Sequence, residues 1–258
     1  MDSNASGGEF DSYVAIVTGG SSGMGRAIAC ALAAEGASVG FCARTESDVA
    51  DAANALSRNG STVLGQAFDV ADGHAVQRWV AASADRLGGL DIVIANVSAL
   101  AIPDEPANWQ ASFEVDLMHA VRLVNAAMPH LEKSDAASIV TIASVSGREI
   151  DFAAGPYGTF KAALTHYTQG LAYQLAPKGI RANSVSPGNT YFSGGVWENI
   201  EQHNPELFAH AMGLNPTGRM ARPEEIARAV VFVASPAASF VSGTNLVVDG
   251  ALTRGVQF

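Results

Sequence analysis

Short apolar runs alternate along the chain with longer, Ala-rich stretches of helical character. The runs YVAIVTGG (13–20), ASVGFCAR (37–44), STVLGQAFDV (61–70), LDIVIANV (90–97), ASIVTIAS (137–144), IRANSVSPG (180–188) and TNLVVDG (244–250) predict seven strands with their C-terminal turns. Several are apolar almost without interruption, as expected of parallel strands covered on both faces. Helices are predicted between them at about 24–35, 46–59, 73–87, 108–131, 155–176 and 223–234. This alternation predicts an α/β fold: one doubly wound domain, its parallel sheet flanked by helices and joined by right-handed crossovers. No composition break or internal repeat divides residues 12–258, and the polar segment 1–11 reads as a flexible N-terminal tail. The stretch 188–222, rich in Gly, Asn and Pro, is too long for a plain connection. It predicts a substrate lid at about 189–215, with a short helix near 197–212.

Composition narrows the functional classes. With 48% hydrophobic and 16% charged residues, the 258-residue chain is a packed globule rather than a disordered one. A net charge of −10 argues against a nucleic-acid backbone binder, which normally carries a basic stripe. No apolar run reaches the roughly 18–20 residues of a membrane span. The opening MDSNASGGEFDS lacks the basic and apolar regions of a signal peptide. Cys30 and Cys42 show no CxxC spacing, which predicts free thiols and a reducing, cytoplasmic location. The six histidines form no HxxxH or HExxH cluster, so no metal site is expected.

The candidate chemistry gathers at the C-terminal ends of the predicted strands, where ligands bind in such sheets. After the first strand, TGGSSGMGRAIA places Gly19, Gly23 and Gly25 in a G-x-x-x-G-x-G pattern, enclosing Ser21, Ser22 and Met24. Such a turn lets backbone amides approach a pyrophosphate at the start of a helix. The second strand ends in Ala43-Arg44, where an NAD site would place an acidic residue for the ribose hydroxyls. Arg44 suits a 2′-phosphate, so NADP(H) is expected over NAD(H). Asp69, followed by Val70, suits the adenine amino group, and Asn96 ends the fourth strand facing the cofactor. Tyr157 and Lys161 stand four residues apart in GPYGTFKAAL, on one face of a predicted helix. A surface pair and a proton-transfer pair are both open at this point.

Taken in order, TGxxxGxG at 18–25, Asp69, Asn96, Ser144, the Tyr157/Lys161 pair and Ser-Pro-Gly at 186–188 resemble the classical short-chain dehydrogenase/reductase family. The resemblance runs from about residue 12 to the C-terminus. It implies a Rossmann-type, seven-stranded domain that transfers hydride between a nicotinamide and a carbonyl or alcohol carbon. It implies that Tyr157 is the general acid/base, Ser144 holds the substrate oxygen, and Lys161 tunes the tyrosine and binds the nicotinamide ribose. An adjacent ammonium is expected to lower the phenol pKa from about 10. Pro187, Gly188 and Thr190 are then expected beside the nicotinamide. The family's oligomers imply a homotetramer or homodimer.

Two positions depart from the family pattern. Asn96-Val97-Ser98 stands where Asn-Ala-Gly is common, and Ser98 becomes a candidate substrate contact. Asp116 stands where many members have an asparagine, and is expected to keep a proton relay with altered pH dependence or to cap local backbone. Tyr191 and Trp197 in the aromatic lid predict a hydrophobic ketone or secondary alcohol, cyclic or aromatic. Two alternatives are a 3-oxoacyl-carrier-protein reductase, docked through Arg122, Lys133 and Arg148, and a silent nucleotide-binding regulator.

Overall fold

Alternation within single strands covers both faces of the sheet. In β1 (Val14–Thr18), Val14 and Ile16 join one buried cluster, while Ala15 and Val17 join the other. The computed structural model describes residues 8–57 and 61–256. From β1 the chain runs through α1 (Gly23–Ala34), β2 (Ser38–Ala43), α2 (Glu46–Leu56), β3 (Val63–Ala67), α3 (Gly73–Leu87) and β4 (Ile92–Ala95). It continues through α4 (Pro106–Ser112), α5 (His119–Leu131), β5 (Ser138–Ile142), α6 (Pro156–Leu175) and β6 (Arg181–Pro187). The last elements are α7 (Val196–His203), α8 (Pro205–Leu214), α9 (Pro223–Ala234) and β7 (Asn245–Val248).

All strand pairs are parallel, in the order β3-β2-β1-β4-β5-β6-β7. The Rossmann-type, seven-stranded sheet expected from the sequence is the one observed. Its order reverses at β1, which pairs with β2 on one side and β4 on the other. A crevice opens there above the C-terminal strand ends. Ile28, Ala29 and Leu32 of α1 pack with Ile226, Ala227 and Val230 of α9 on one face. Trp79 of α3, Leu123 and Val124 of α5 and Leu164 of α6 cover the other. Each large aliphatic side chain buried in this way contributes about 1.5–3 kcal/mol. No helix among the described residues is long and apolar enough to cross a membrane.

Three details differ from the expectations. The tail does not extend to residue 11: Phe10 is fully buried and its N–H donates to the Glu35 carbonyl at 2.9 Å. Residues 1–7 of that tail lie outside the described residues, as do 58 and 59 at the end of the helix predicted over 46–59. The helix predicted over 108–131 is interrupted by a π-helical turn, Phe113–Met118, between α4 and α5. Such turns often mark functional sites, and this one contains the fully buried Asp116. The stretch 189–215, expected to form a lid, holds two helices, α7 and α8, rather than one. Asn204 separates them, its side chain capping α8 through the Leu207 N–H.

Candidate active site

At the end of β1 the backbone turns through Gly19 (φ +71°) and Gly23 (φ +50°), conformations that favour glycine. Gly25 is fixed by space instead, since a Cβ there would stand 2.0 Å from the Gly19 carbonyl oxygen. No side chain caps the start of α1, and its first turn carries no acidic residue. Its leading amides and positive dipole end are therefore available to an anion. In front lies a cleft of about 530 Å³ lined by Gly19, Ser21, Ser22, Gly23, Met24 and Gly25. Arg44, Asp69 and Val70 line it beyond β2 and β3, and Asn96, Ser98, Tyr157 and Lys161 beyond β4 and on α6. A glycine cradle with uncapped amides at a topological switch point fits a dinucleotide.

Arg44 is exposed and belongs to none of the ion pairs among the described residues, although Asp48 lines the same cleft. Asp69 accepts the Ala71 N–H through one carboxylate oxygen, at 2.9 Å. Asn96 is tied to the scaffold, its Nδ2 donating to the Thr18 carbonyl at 3.0 Å.

Two further glycines bring the Ser144 turn against α6. A Cβ on Gly147 would lie 2.8 Å from the Lys161 backbone, and one on Gly158 would lie 2.8 Å from the Ser146 and Ala153 carbonyl oxygens. This close approach sets the buried Ser144, just beyond β5, in the same pocket wall as Tyr157. Tyr157 is partly open to the cleft but densely surrounded. Burial pushes its pKa up to about 12, against the lowering effect of Ser144, and the charges of Asp116 and Asp151 raise it further. The expectation that Lys161 would lower this pKa is therefore not met. Burial outweighs it, and the ammonium is engaged elsewhere. Lys161 Nζ lies 5.6 Å from the Tyr157 ring centre, donates to the Ile142 carbonyl at 2.9 Å and stands 3.5 Å from Asp116 Oδ1. Its own pKa is lowered by burial, against the raising effect of Asp116.

Asp116 does not cap backbone. Its nearest partner is the Lys161 ammonium, at the outer limit of a hydrogen bond, and neither carboxylate oxygen has another partner among the described residues. One turn further on, at the start of α5, stands His119, which no local spacing in the sequence singles out. Its Nδ1–H donates to the Val115 carbonyl, which fixes Nε2 as an acceptor for the Thr18 hydroxyl at 3.2 Å. Thr18 Oγ1 in turn accepts the Asn96 N–H at 2.9 Å. Burial lowers the His119 pKa to about 4, aided by the charge of Lys161, so the ring is neutral. The signal in sequence was weak: a histidine three residues after Asp116, with Thr18 at the end of the first strand.

A second pocket, of about 130 Å³, adjoins the cleft and shares Met24, Leu100, Ala143, Tyr157 and Phe192 with it. Ser144, Phe152 and the buried Trp197 also line it. Pro187, Gly188 and Thr190 line this pocket rather than the larger cleft, and the Thr190 hydroxyl donates to the Gly188 carbonyl at 3.1 Å. Two candidate substrate residues lie elsewhere. Tyr191 is a lid anchor, its hydroxyl bonded to Glu201 and its ring packed edge-on to Phe208 at 6.1 Å. Its neighbour Phe192 lines the pocket instead, and its ring would meet a Cβ on Gly23 at 2.6 Å. Ser98 lines the cofactor cleft, and its hydroxyl accepts the Leu100 N–H at 3.0 Å, holding the turn in which Leu100 takes φ +50°.

The switch-point cleft and the Ser144, Tyr157 and Lys161 cluster beside it define a nucleotide-dependent oxidoreductase of the Rossmann type. A family model described as enoyl-(acyl carrier protein) reductase matches residues 19–253. Isoepoxydon dehydrogenase of Penicillium expansum is 43% identical over 248 residues, covering 94% of this chain and 95% of that protein. Cis-4-hydroxycyclohexanecarboxylate dehydrogenase of Sinomonas cyclohexanicum is 35% identical, covering 95% and 98%. A short-chain dehydrogenase of Burkholderia cenocepacia, solved in complex with NADP, superimposes with a TM-score of 0.87 at 28% identity, covering 95% of this chain and 99% of that one. The chain belongs to the classical short-chain dehydrogenase/reductase family, and is an oxidoreductase acting on CH–OH or C=O groups with a nicotinamide dinucleotide.

Proposed function

We propose that this protein interconverts a hydrophobic cyclic ketone and its secondary alcohol, preferring NADP(H). The observation that carries the reading is the placement of Tyr157 on the wall common to the cofactor cleft and the 130 Å³ pocket, with Ser144 beside it. The nicotinamide supplies or takes up the hydride when bound. Gly19, Gly23 and Gly25 would hold the dinucleotide's pyrophosphate against α1, Asp69 and Val70 would meet the adenine, and Lys161 would bind the ribose. Ser144 holds the substrate oxygen. Tyr157 gives that oxygen its proton in reduction and removes it in oxidation. Asp116 opposes the phenolate through its negative charge while accepting hydrogen bonds from solvent entering the relay. The names of the two cyclic-substrate relatives support a ring compound, as does the apolar, aromatic wall of the pocket.

Arg44 carries the cofactor preference, since it is exposed at the cleft with no carboxylate partner among the described residues. A carrier-bound acyl substrate is less well supported, because Arg122 of its basic docking set is already paired with Glu114 at 2.6 Å. Oligomerisation belongs to the same proposal. Tyr173, Phe232 and Phe240 expose apolar surface on α6, on α9 and before β7, which suits a dimer or tetramer. The test is steady-state turnover of NADPH and NADH with cyclohexanones and with carrier-linked 3-oxoacyl groups. Turnover of the ring ketones with the higher kcat/KM for NADPH is expected. Binding without turnover across both panels would overturn the reading in favour of a silent regulator.

A further inference from the structure

Behind the reacting pocket lies a separate chamber of about 400 Å³, a size typical of ligand sites. The two cavities share Val145, Asp151, Phe152, Asn189 and Trp197, so the wall between them is common to both. Its core is the edge-to-face pair of Phe152 and Trp197, with ring centres 5.6 Å apart. The reacting pocket alone, at about 130 Å³, is close to the roughly 150 Å³ cavity that holds one benzene ring. A substituent on a ring bound there finds an adjoining apolar space in this chamber, across the shared wall.

The chamber's lining is a helix face that lacks its cover. Leu207, His210, Ala211 and Leu214 fall at i, i+3, i+4 and i+7 of α8, spacing that normally faces a core. Leu252 and Arg254 close the opposite side. The large hydrophobics left open at its rim include Ile150 (91% exposed), Phe152 (48%) and Leu214 (43%). Apolar surface concentrated in one place marks a binding site. The acids nearby are already committed. Glu149 accepts the Arg254 and Gly255 N–H groups, and Asp151 accepts from the Ser146 hydroxyl and the Ala153 N–H.

We propose that this chamber is a specificity subsite for an apolar substituent, aryl or branched alkyl, carried by a ring ketone or alcohol on the side away from its oxygen. The inference rests on the ring-ketone reading of the reacting pocket. The substrate class is then a substituted cyclic ketone, with Phe152 and Trp197 as the passage between ring and substituent.

The experiment compares cyclohexanone, 4-phenylcyclohexanone and 4-oxocyclohexanecarboxylate in the wild type and in Leu214→Asp and Leu252→Asn, variants on opposite walls and outside the reacting pocket. Calorimetric binding of cyclohexanol and 4-phenylcyclohexanol reads the chamber without turnover. The phenyl compound is expected to exceed cyclohexanone at least about tenfold in kcat/KM. That ratio is expected to fall toward one in both variants, with cyclohexanone turnover retained. A wild-type ratio of one or less, a preference for the carboxylate, or a ratio unchanged in both variants would overturn the subsite. Absent turnover with tight phenylcyclohexanol binding that both variants weaken would remove the ring-ketone reading and leave the chamber standing. Equal binding of the two alcohols would remove the chamber.

Discussion

Two buried polar networks flank the floor of the cleft, and they are built to opposite standards. On the β1–β4 side, Thr18, His119 and Asn96 satisfy one another: ring nitrogens, hydroxyl and side-chain amide N–H all have partners. On the α6 side, Asp116 keeps two buried oxygens whose nearest partner is an ammonium at 3.5 Å, and Tyr157 stands beside them at a raised pKa. A satisfied network fixes positions, whereas an under-satisfied one keeps acceptor and proton capacity in reserve. The contrast separates scaffold from chemistry within a single helical segment, because Asp116 and His119 are one turn apart across the end of the π-helical stretch.

The largest effect expected is on the reactive side. Tyr157→Phe removes the proton donor and should lower kcat by about 10²–10⁴-fold. Cofactor affinity, measured by calorimetry, should survive within a few-fold.

The next largest effect falls on the scaffold. His119→Leu takes the Nδ1–H donor from the Val115 carbonyl and leaves the Thr18 hydroxyl only its longer contact with the Ile94 carbonyl at 3.4 Å, and should cost about 2–4 kcal/mol of stability in denaturant unfolding. It should also change the pH dependence. His119 has a folded pKa of about 4, below its ordinary value of 6.5, so the unfolded chain takes up the proton first as pH falls. Wild-type stability from this group is present above pH 6.5 and declines toward pH 4, by about 3 kcal/mol. In His119→Leu that part of the decline should be absent.

The smallest effect lies at the exposed end of the cleft. Arg44→Ala should reduce the NADPH-to-NADH ratio of kcat/KM by about tenfold, the consequence of losing roughly 1.4 kcal/mol from one charge-assisted contact.

The same contrast explains what the sequence disclosed. Strands buried on both faces leave continuous apolar runs, and the glycine loop, Ser144 and the Tyr157/Lys161 pair are local spacings. These were legible because each is a short-range pattern. His119 was not, since its partner Thr18 lies 101 residues away and a lone histidine on an apolar helix looks like any other. The π turn that carries Asp116 left no spacing to read. Tyr191 and Phe192 are adjacent aromatics in a lid, and which of them meets the pocket depends on Glu201, whose carboxylate draws the Tyr191 hydroxyl away. Phe10 was a single aromatic in a polar segment, and the cover it gives α1 is a tertiary fact.

The Asp116 network is expected to tune proton transfer, and the His119 network only to position. The most direct test is the pH dependence of kcat/KM for alcohol oxidation in wild type, Asp116→Asn and His119→Gln. Asp116 raises the pKa of Tyr157, so its removal should move the acidic limb to lower pH. His119→Gln should leave that limb in place while changing KM or stability. An unmoved limb in Asp116→Asn, or an equal shift in His119→Gln, would contradict the division between the two networks.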